Sequence, residues 1–185
     1  MVKNVYLFSG KAQAGKDFVS GKLKDTLERK GYKVLKLGFA DALKNYVSTL
    51  FGVSVEEVER LKLCETPFTQ NGLTMRQILQ RMGTELFRDK IDYDYWVKVV
   101  SKIMSETDYD YYLISDYRFP NERRVAEYAS LCDKSTYVVK TVRVLNNDVI
   151  QSNAHISENM LTNDCDIVID NTDHSYVFNI SDFII

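Results

Sequence analysis

The segment Gly10-Lys11-Ala12-Gln13-Ala14-Gly15-Lys16 restricts this chain more than any other feature. It fits the pattern GxxxxGK, and its setting matters as much as its letters. Val5 to Phe8 is a short apolar run that reads as a buried strand. Asp17 to Lys30 carries Phe18, Val19, Leu23 and Leu27 at helical spacing and ends at Gly31, a suitable C-cap. A strand, a glycine-rich turn and a helix in that order form an anion cradle. Two glycines let the backbone wrap closely round phosphate oxygens, while amide N–H groups of the loop and of the helix start point at the charge. Lys16 adds a point charge for the outer phosphates. The segment therefore predicts nucleotide binding through Gly10, Lys11, Ala12, Gln13, Ala14, Gly15, Lys16 and Asp17.

Asp17 is a departure from the usual loop, in which a Ser or Thr hydroxyl follows the lysine and ligates magnesium. A carboxylate also ligates magnesium, directly or through water, and it suits the positive end of a helix dipole. A second acidic position is Asp116, at the end of the apolar strand Tyr111-Tyr112-Leu113-Ile114-Ser115. Asp17 and Asp116 are the candidate metal ligands. Arg118, two residues on, has the planar fork that clamps a phosphate. Asn121, Glu122, Arg123 and Arg124 follow it.

The rest of the chain reads as alternating strands and helices. Strands are expected at 32–37, 111–115, 136–144 and 166–169, and helices at 40–51, 54–63, 74–90, 94–106 and 121–131. Such alternation implies parallel strands joined by right-handed crossovers, hence a doubly wound α/β/α sandwich of five strands. Ligands in these sheets sit at the carboxyl ends of the strands. The helical block 54–106 interrupts the alternation and reads as an insert that would fold over that edge. Within it, Met75, Ile78, Leu79, Met82 and Leu86 mark one apolar stripe. Arg76 and Gln80 are four apart and share a face, pairing a phosphate fork with an amide able to read a base edge. Gly83 permits close backbone approach and Thr84 offers a hydroxyl. Trp96, the single tryptophan, suits either base stacking, worth ~1–3 kcal/mol, or a place in the core.

Composition narrows the partners. The net charge of −2 argues against a broad nucleic-acid-binding face. Cys64, Cys132 and Cys165 are far apart and odd in number, which points to reduced thiols and to neither zinc nor a disulfide framework. No apolar run reaches the ~18 residues of a membrane span, and no signal peptide is recognisable, so a cytoplasmic location is expected.

The ordered set GKAQAGKDF at Gly10 to Phe18, Arg76 to Leu86, Tyr95-Trp96-Val97-Lys98, Asp116-Tyr117-Arg118, His155-Ile156-Ser157-Glu158 and Asp166 to Asn171 resembles the phage-type deoxynucleoside monophosphate kinases. The resemblance covers Val5 to about Thr172, with Phe18 standing where some relatives carry Thr. It implies a three-layer P-loop kinase fold over residues 1–185, with a mainly parallel sheet and 54–106 as an acceptor-binding insert. It also implies ATP- and magnesium-dependent phosphorylation of deoxynucleoside monophosphates to diphosphates. Arg76, Gln80, Gly83, Thr84 and Trp96 would build the acceptor site. Asp116, Arg118 and Glu122 would sit at the reacting phosphates, and His155 to Glu158 near a later nucleotide-contacting loop. The residues expected to act in transfer are Lys16, Asp17, Arg76, Asp116 and Arg118, with Arg124 or Arg143 as an alternative lid arginine. A phosphomevalonate kinase of the same branch shares GKDF and Ser-Asp-x-Arg, and a non-catalytic nucleotide-binding module would share the loop. The sequence leaves base choice and homodimer formation open.

Overall fold

The apolar runs assemble as one parallel sheet in a computed structural model, which describes residues 2–147, 165–172 and 183. In chain order the elements are β1 (Val2–Ser9), α1 (Lys16–Arg29), β2 (Val34–Leu37), α2 (Phe39–Phe51), α3 (Val55–Leu61) and α4 (Met75–Gln80). A π-helix (Arg81–Ile91) continues α4. Then come α5 (Tyr95–Ser105), β3 (Tyr111–Ile114), a 3₁₀ turn (Pro120–Arg124), α6 (Val125–Asp133), β4 (Thr136–Leu145) and β5 (Ile167–Asp170). Each expected strand is present, and the helices match apart from the winding of the fourth.

The strand order is β2-β3-β1-β4-β5, and every pairing is parallel. The crossover from β1 to β2 runs in one direction across the sheet, and that from β3 to β4 in the other. Right-handed connections then place α1 and α6 on opposite faces. Period-two alternation divides the core accordingly. Tyr6, Phe8, Tyr111, Leu113, Val142, Val144 and Ile169 pack with Val19, Leu23 and Leu27 of α1. Their neighbours Val5, Leu7, Tyr112 and Ile114, also buried, face the other way. On that side the Tyr112 hydroxyl donates to the Met104 carbonyl at 3.0 Å, and Ser101 Oγ to the Val125 carbonyl at 2.8 Å. Central strands buried on both faces explain why Val5–Phe8 of β1 and all of β3 are continuously apolar instead of alternating.

The chain divides into two compact units, residues 1–38 with 100–185, and residues 39–99. The first holds the sheet. The second therefore begins earlier than the expected insert, taking in α2, and ends inside α5. Phe39, Leu43 and Val47 are the buried side of α2. Lys44 ties α2 to α3 by pairing with Glu59 at 2.7 Å, and also meets Asp41 at 3.1 Å. Thr74 starts α4 with a reciprocal capping box through Gln77.

The π-helix changes the expected stripe. The Asp92 N–H donates to the Phe87 carbonyl, a bond five residues back instead of four. Wider turns rotate the following side chains out of α-helical phase. Met75 and Ile78 are buried as expected, yet Leu86 is 46% exposed, while Gly83 and Arg88 turn inward. Among the described residues no helix is long and apolar enough to cross a membrane, and the three cysteines are free thiols.

Candidate active site

In the first unit the candidate site grows from the carboxyl ends of β1, β2 and β3. The adjacency of β1 and β3 brings the loop after each together, and the Tyr117 N–H donates to the Phe8 carbonyl at 3.1 Å. Gly10 and Gly15 adopt φ of 150° and 87°, and Gln13 between them lies in the left-handed region at 64°. Both glycines are required by space as well. A Cβ on Gly10 would lie 2.4 Å from the Val144 carbonyl oxygen, and one on Gly15 would lie 2.3 Å from Asn171 Nδ2. Gly15, which has no side chain to cap with, is also the N-cap of α1. The first turn of α1 thus follows a glycine N-cap at the end of the loop, and a helix N-terminus of this kind favours an anion. Lys16 Nζ donates to the carbonyls of Gly10 and Lys11, each at 2.8 Å, laying its charge across the first turn of the loop.

Asp17 faces the ends of two strands. Its Oδ1 is 2.8 Å from Lys36 Nζ at the end of β2 and accepts from Ser115 Oγ at 2.8 Å after β3. Burial opposes the charge on Asp17, but the bonds from Lys36 and Ser115 and the charges of Lys36 and Lys16 outweigh it. Its carboxyl is therefore held below the usual range. Its side chain remains 80% exposed, open to a further ligand. Lys36 and Ser115 are members of this cluster that sequence pattern did not single out. The signal for Lys36 is slight, a lone charge within an otherwise apolar strand.

Asp116 follows Ser115 directly and is half-buried, and Arg118 beyond it is exposed. Glu122 has a different place from the expected acceptor contact. It is 2% exposed, and its Oε2 accepts from the N–H groups of Arg118 (2.7 Å) and Phe119 (3.0 Å). The carboxylate shapes the turn that presents Arg118. Of the two lid alternatives, Arg124 bonds Glu127 at 3.2 Å and lies over the Tyr128 ring, while Arg143 pairs in register with Ser9 at the end of β1.

A hard dication takes oxygen ligands and keeps several waters or phosphate oxygens. The Asp17 carboxylate, with Asp116 beside its Ser115 partner, is a donor set of that kind. Among the described residues no cluster of three or more acidic, His or Cys side chains exists. Two carboxylates of this kind suit magnesium whose remaining ligands are substrate phosphates and water.

The second unit carries the remaining expected residues. Arg76 is exposed, and its Nε lies 3.4 Å from the Lys62 carbonyl. Gln80 and Thr84 are half-buried. Trp96 is 4% exposed, with its Nε1–H donating to the Gly83 carbonyl at 2.8 Å. Its ring packs against Phe87 and Tyr95, at centroid distances of 5.2 and 4.9 Å. Of the two alternatives the core placement is the one observed. Trp96 braces Gly83 and offers no open face for a base to stack on. His155 to Glu158 lie outside the described residues.

A doubly wound parallel sheet with a GxxxxGK loop between its first strand and helix defines the P-loop nucleotide-binding class. The model of one family, deoxynucleotide monophosphate kinase, matches residues 43–176, and the chain belongs to that family. The matched stretch starts after the phosphate loop, so loop and family match are separate observations. No curated protein matches the chain. Among solved structures, the chain is similar to the Mycobacterium tuberculosis APS kinase CysC, both as a Cys556Ala mutant and in complex with AMPPNP and APS. Identities are 12% and 10%, TM-scores 0.46 and 0.47, with 91% of this chain covered in each case and 85% and 88% of those chains. It is also similar to a hexameric APS kinase from Thiobacillus denitrificans, at 15% identity and TM-score 0.41, covering 91% of this chain and 25% of that one.

Proposed function

We propose that this chain transfers the γ-phosphoryl group of ATP to a deoxynucleoside monophosphate, giving two diphosphates, in the cytoplasm and with magnesium. The observation that carries the donor half is the Gly10–Lys16 loop, closed by positive-φ glycines and leading into the N-terminus of α1. The acceptor half is supported by the family match, which spans Arg76, Gln80, Thr84 and the Asp116-Tyr117-Arg118 turn.

Phosphoryl transfer asks the protein for alignment and charge neutralisation more than for covalent chemistry. Loop amides and Lys16 hold the outer phosphates of ATP. Arg118 of the first unit binds the acceptor phosphate, which is already an anion and needs no strong base, and Arg76 is the phosphate-binding arginine of the second unit. Gln80, Gly83 and Thr84 line the acceptor's nucleoside side. Asp17 and Asp116 hold magnesium, which supplies neutralisation of the charge on the transferring group. Lys36 keeps the Asp17 carboxylate ionised and turned toward the strand ends.

The test is ADP release from ATP with each common deoxy- and ribonucleoside monophosphate, with phosphomevalonate, and with no acceptor. Stimulation by one or more deoxynucleoside monophosphates is expected. Stimulation by phosphomevalonate alone would give the acceptor half to the other branch. ATP binding without stimulation by any acceptor would make the chain a nucleotide-binding module and overturn the proposal.

A further inference from the structure

β5 is the edge strand of the sheet, yet the residue that follows it is a carboxamide with no exposed surface: Asn171 is 0% exposed. Burying an amide side chain costs free energy unless its polar atoms are bonded, so such a residue at an edge has work to do. Its backbone N–H extends the parallel ladder, donating to the Leu145 carbonyl at 2.8 Å. Its side-chain Nδ2 leaves the ladder and donates to the Ala14 carbonyl at 3.1 Å, across 157 positions of sequence. Ala14 is itself buried, and its carbonyl belongs to the peptide that enters Gly15, the N-cap of α1.

From this contact we infer that Asn171 is a positioning residue for the phosphate loop. A trans peptide is planar, and its C=O and N–H point in opposite directions. Fixing the Ala14 carbonyl toward Asn171 therefore turns the Gly15 N–H away from β5. The same carboxamide explains the need for glycine at 15, since any Cβ there would meet Nδ2 at 2.3 Å. Asn171 thus acts on the loop twice, bonding the carbonyl before Gly15 and occupying the space beside Gly15. At the opposite end of the loop, the Val144 carbonyl of β4 occupies the space a Cβ on Gly10 would take. β4 and the residue that follows β5 thus each constrain one of the two loop glycines.

The inference rests on the loop binding ATP, and the test separates the two. Wild type, Lys16→Ala, Asn171→Asp and Asn171→Ala are compared for ATP affinity by equilibrium dialysis, for KM and kcat toward each substrate, and for Tm. Asn171→Asp keeps the shape but sets an oxygen against the Ala14 carbonyl. Asn171→Ala removes the donor without that repulsion, and decides the matter if the Asp variant does not fold. Positioning predicts that affinity for ATP falls about tenfold, equivalent to ~1.4 kcal/mol, while KM for the acceptor stays within about twofold. A lower Tm with unchanged ATP affinity would mean a merely structural contact and overturn the inference. Wild type that fails to bind ATP would instead overturn the donor reading.

Discussion

Asp17, the first carboxylate of α1, is ion-paired with Lys36 at the end of β2, at 2.8 Å. This pair occupies the place where a P-loop ordinarily offers a hydroxyl. A hydroxyl is nevertheless at hand, because Ser115 Oγ donates to the same carboxylate oxygen. The cluster thus draws a charge from α1, a countercharge from β2 and a hydroxyl from the segment after β3, all within one unit. If Asp17 holds magnesium as proposed, Lys36 has two consequences of opposite sign for that ion. It keeps Asp17 ionised, which helps, and its charge competes with the cation, which does not.

These opposing effects make a pair of variants informative. Asp17→Asn is expected to lower kcat/KM for ATP by at least about tenfold, or ~1.4 kcal/mol of transition-state stabilisation, and to raise the magnesium concentration for half-maximal rate. Lys36→Met is expected to lower that magnesium concentration by about two- to fivefold, since removing a neighbouring cation favours binding of another. Steady-state rates across a magnesium titration check both. An unchanged magnesium dependence in Asp17→Asn would remove Asp17 from the metal site.

Glu122 allows shape and charge to be separated at Arg118. Its buried carboxylate accepts from two consecutive backbone amides. Glu122→Ala should cost ~1.5–3 kcal/mol of stability, because two donors lose a charged partner. It should also raise KM for the acceptor, as the turn carrying Arg118 loosens. Glu122→Gln keeps an acceptor oxygen and should recover most of the acceptor KM while restoring only part of the stability. Urea unfolding alongside acceptor titrations distinguishes these outcomes from direct substrate contact, for which Gln and Ala would be equally impaired in KM.

In the second unit, Trp96 and Gly83 form a buried donor–acceptor pair. Trp96→Phe retains an aromatic ring but leaves the Gly83 carbonyl without that donor, a loss of ~1–3 kcal/mol. Gly83→Ala would place a methyl 2.7 Å from Leu43 Cδ2 and should cost ~1–3 kcal/mol by overpacking. Both are read as lower denaturation midpoints with unchanged slope.

What could be read from sequence divides along physical lines. Strands and helices were legible because burial on one or two faces writes itself into residue spacing. The phosphate loop was legible because its glycines, lysine and flanking elements are contiguous. The π-winding of residues 81–91 was not, since Ile78, Leu79, Met82 and Leu86 fit an α-helical stripe equally well. The start of the second unit at Phe39 was hidden for a similar reason, α2 having the pattern of any crossover helix. The contacts of Lys36, Ser115 and Asn171 were not legible because they depend on strand order. Ser115 meets Asp17 across 98 residues and Asn171 meets Ala14 across 157. The strand order β2-β3-β1-β4-β5 brings such distant positions to one loop.

The amino end of the sheet, away from the loop, offers a control for all of these variants. There Asp133 accepts from the Tyr137 hydroxyl at 2.8 Å and the Ser135 N–H at 2.9 Å, and meets Lys3 Nζ at 3.2 Å. Burial pushes its carboxyl up, but those donors together pull it down to about 2 from 3.8. A carboxylate whose pKa is lower folded than unfolded adds stability above the unfolded value, and loses it as pH falls through the folded one. The contribution of Asp133 should therefore be complete above about pH 4 and disappear toward pH 2. Asp133→Asn should lower the unfolding free energy at neutral pH and flatten its fall across that window, while KM for ATP and for the acceptor stay unchanged. Urea unfolding at a series of pH values checks the first part. Parallel curves for the two proteins between pH 4 and pH 2 would show that Asp133 is not the group responsible.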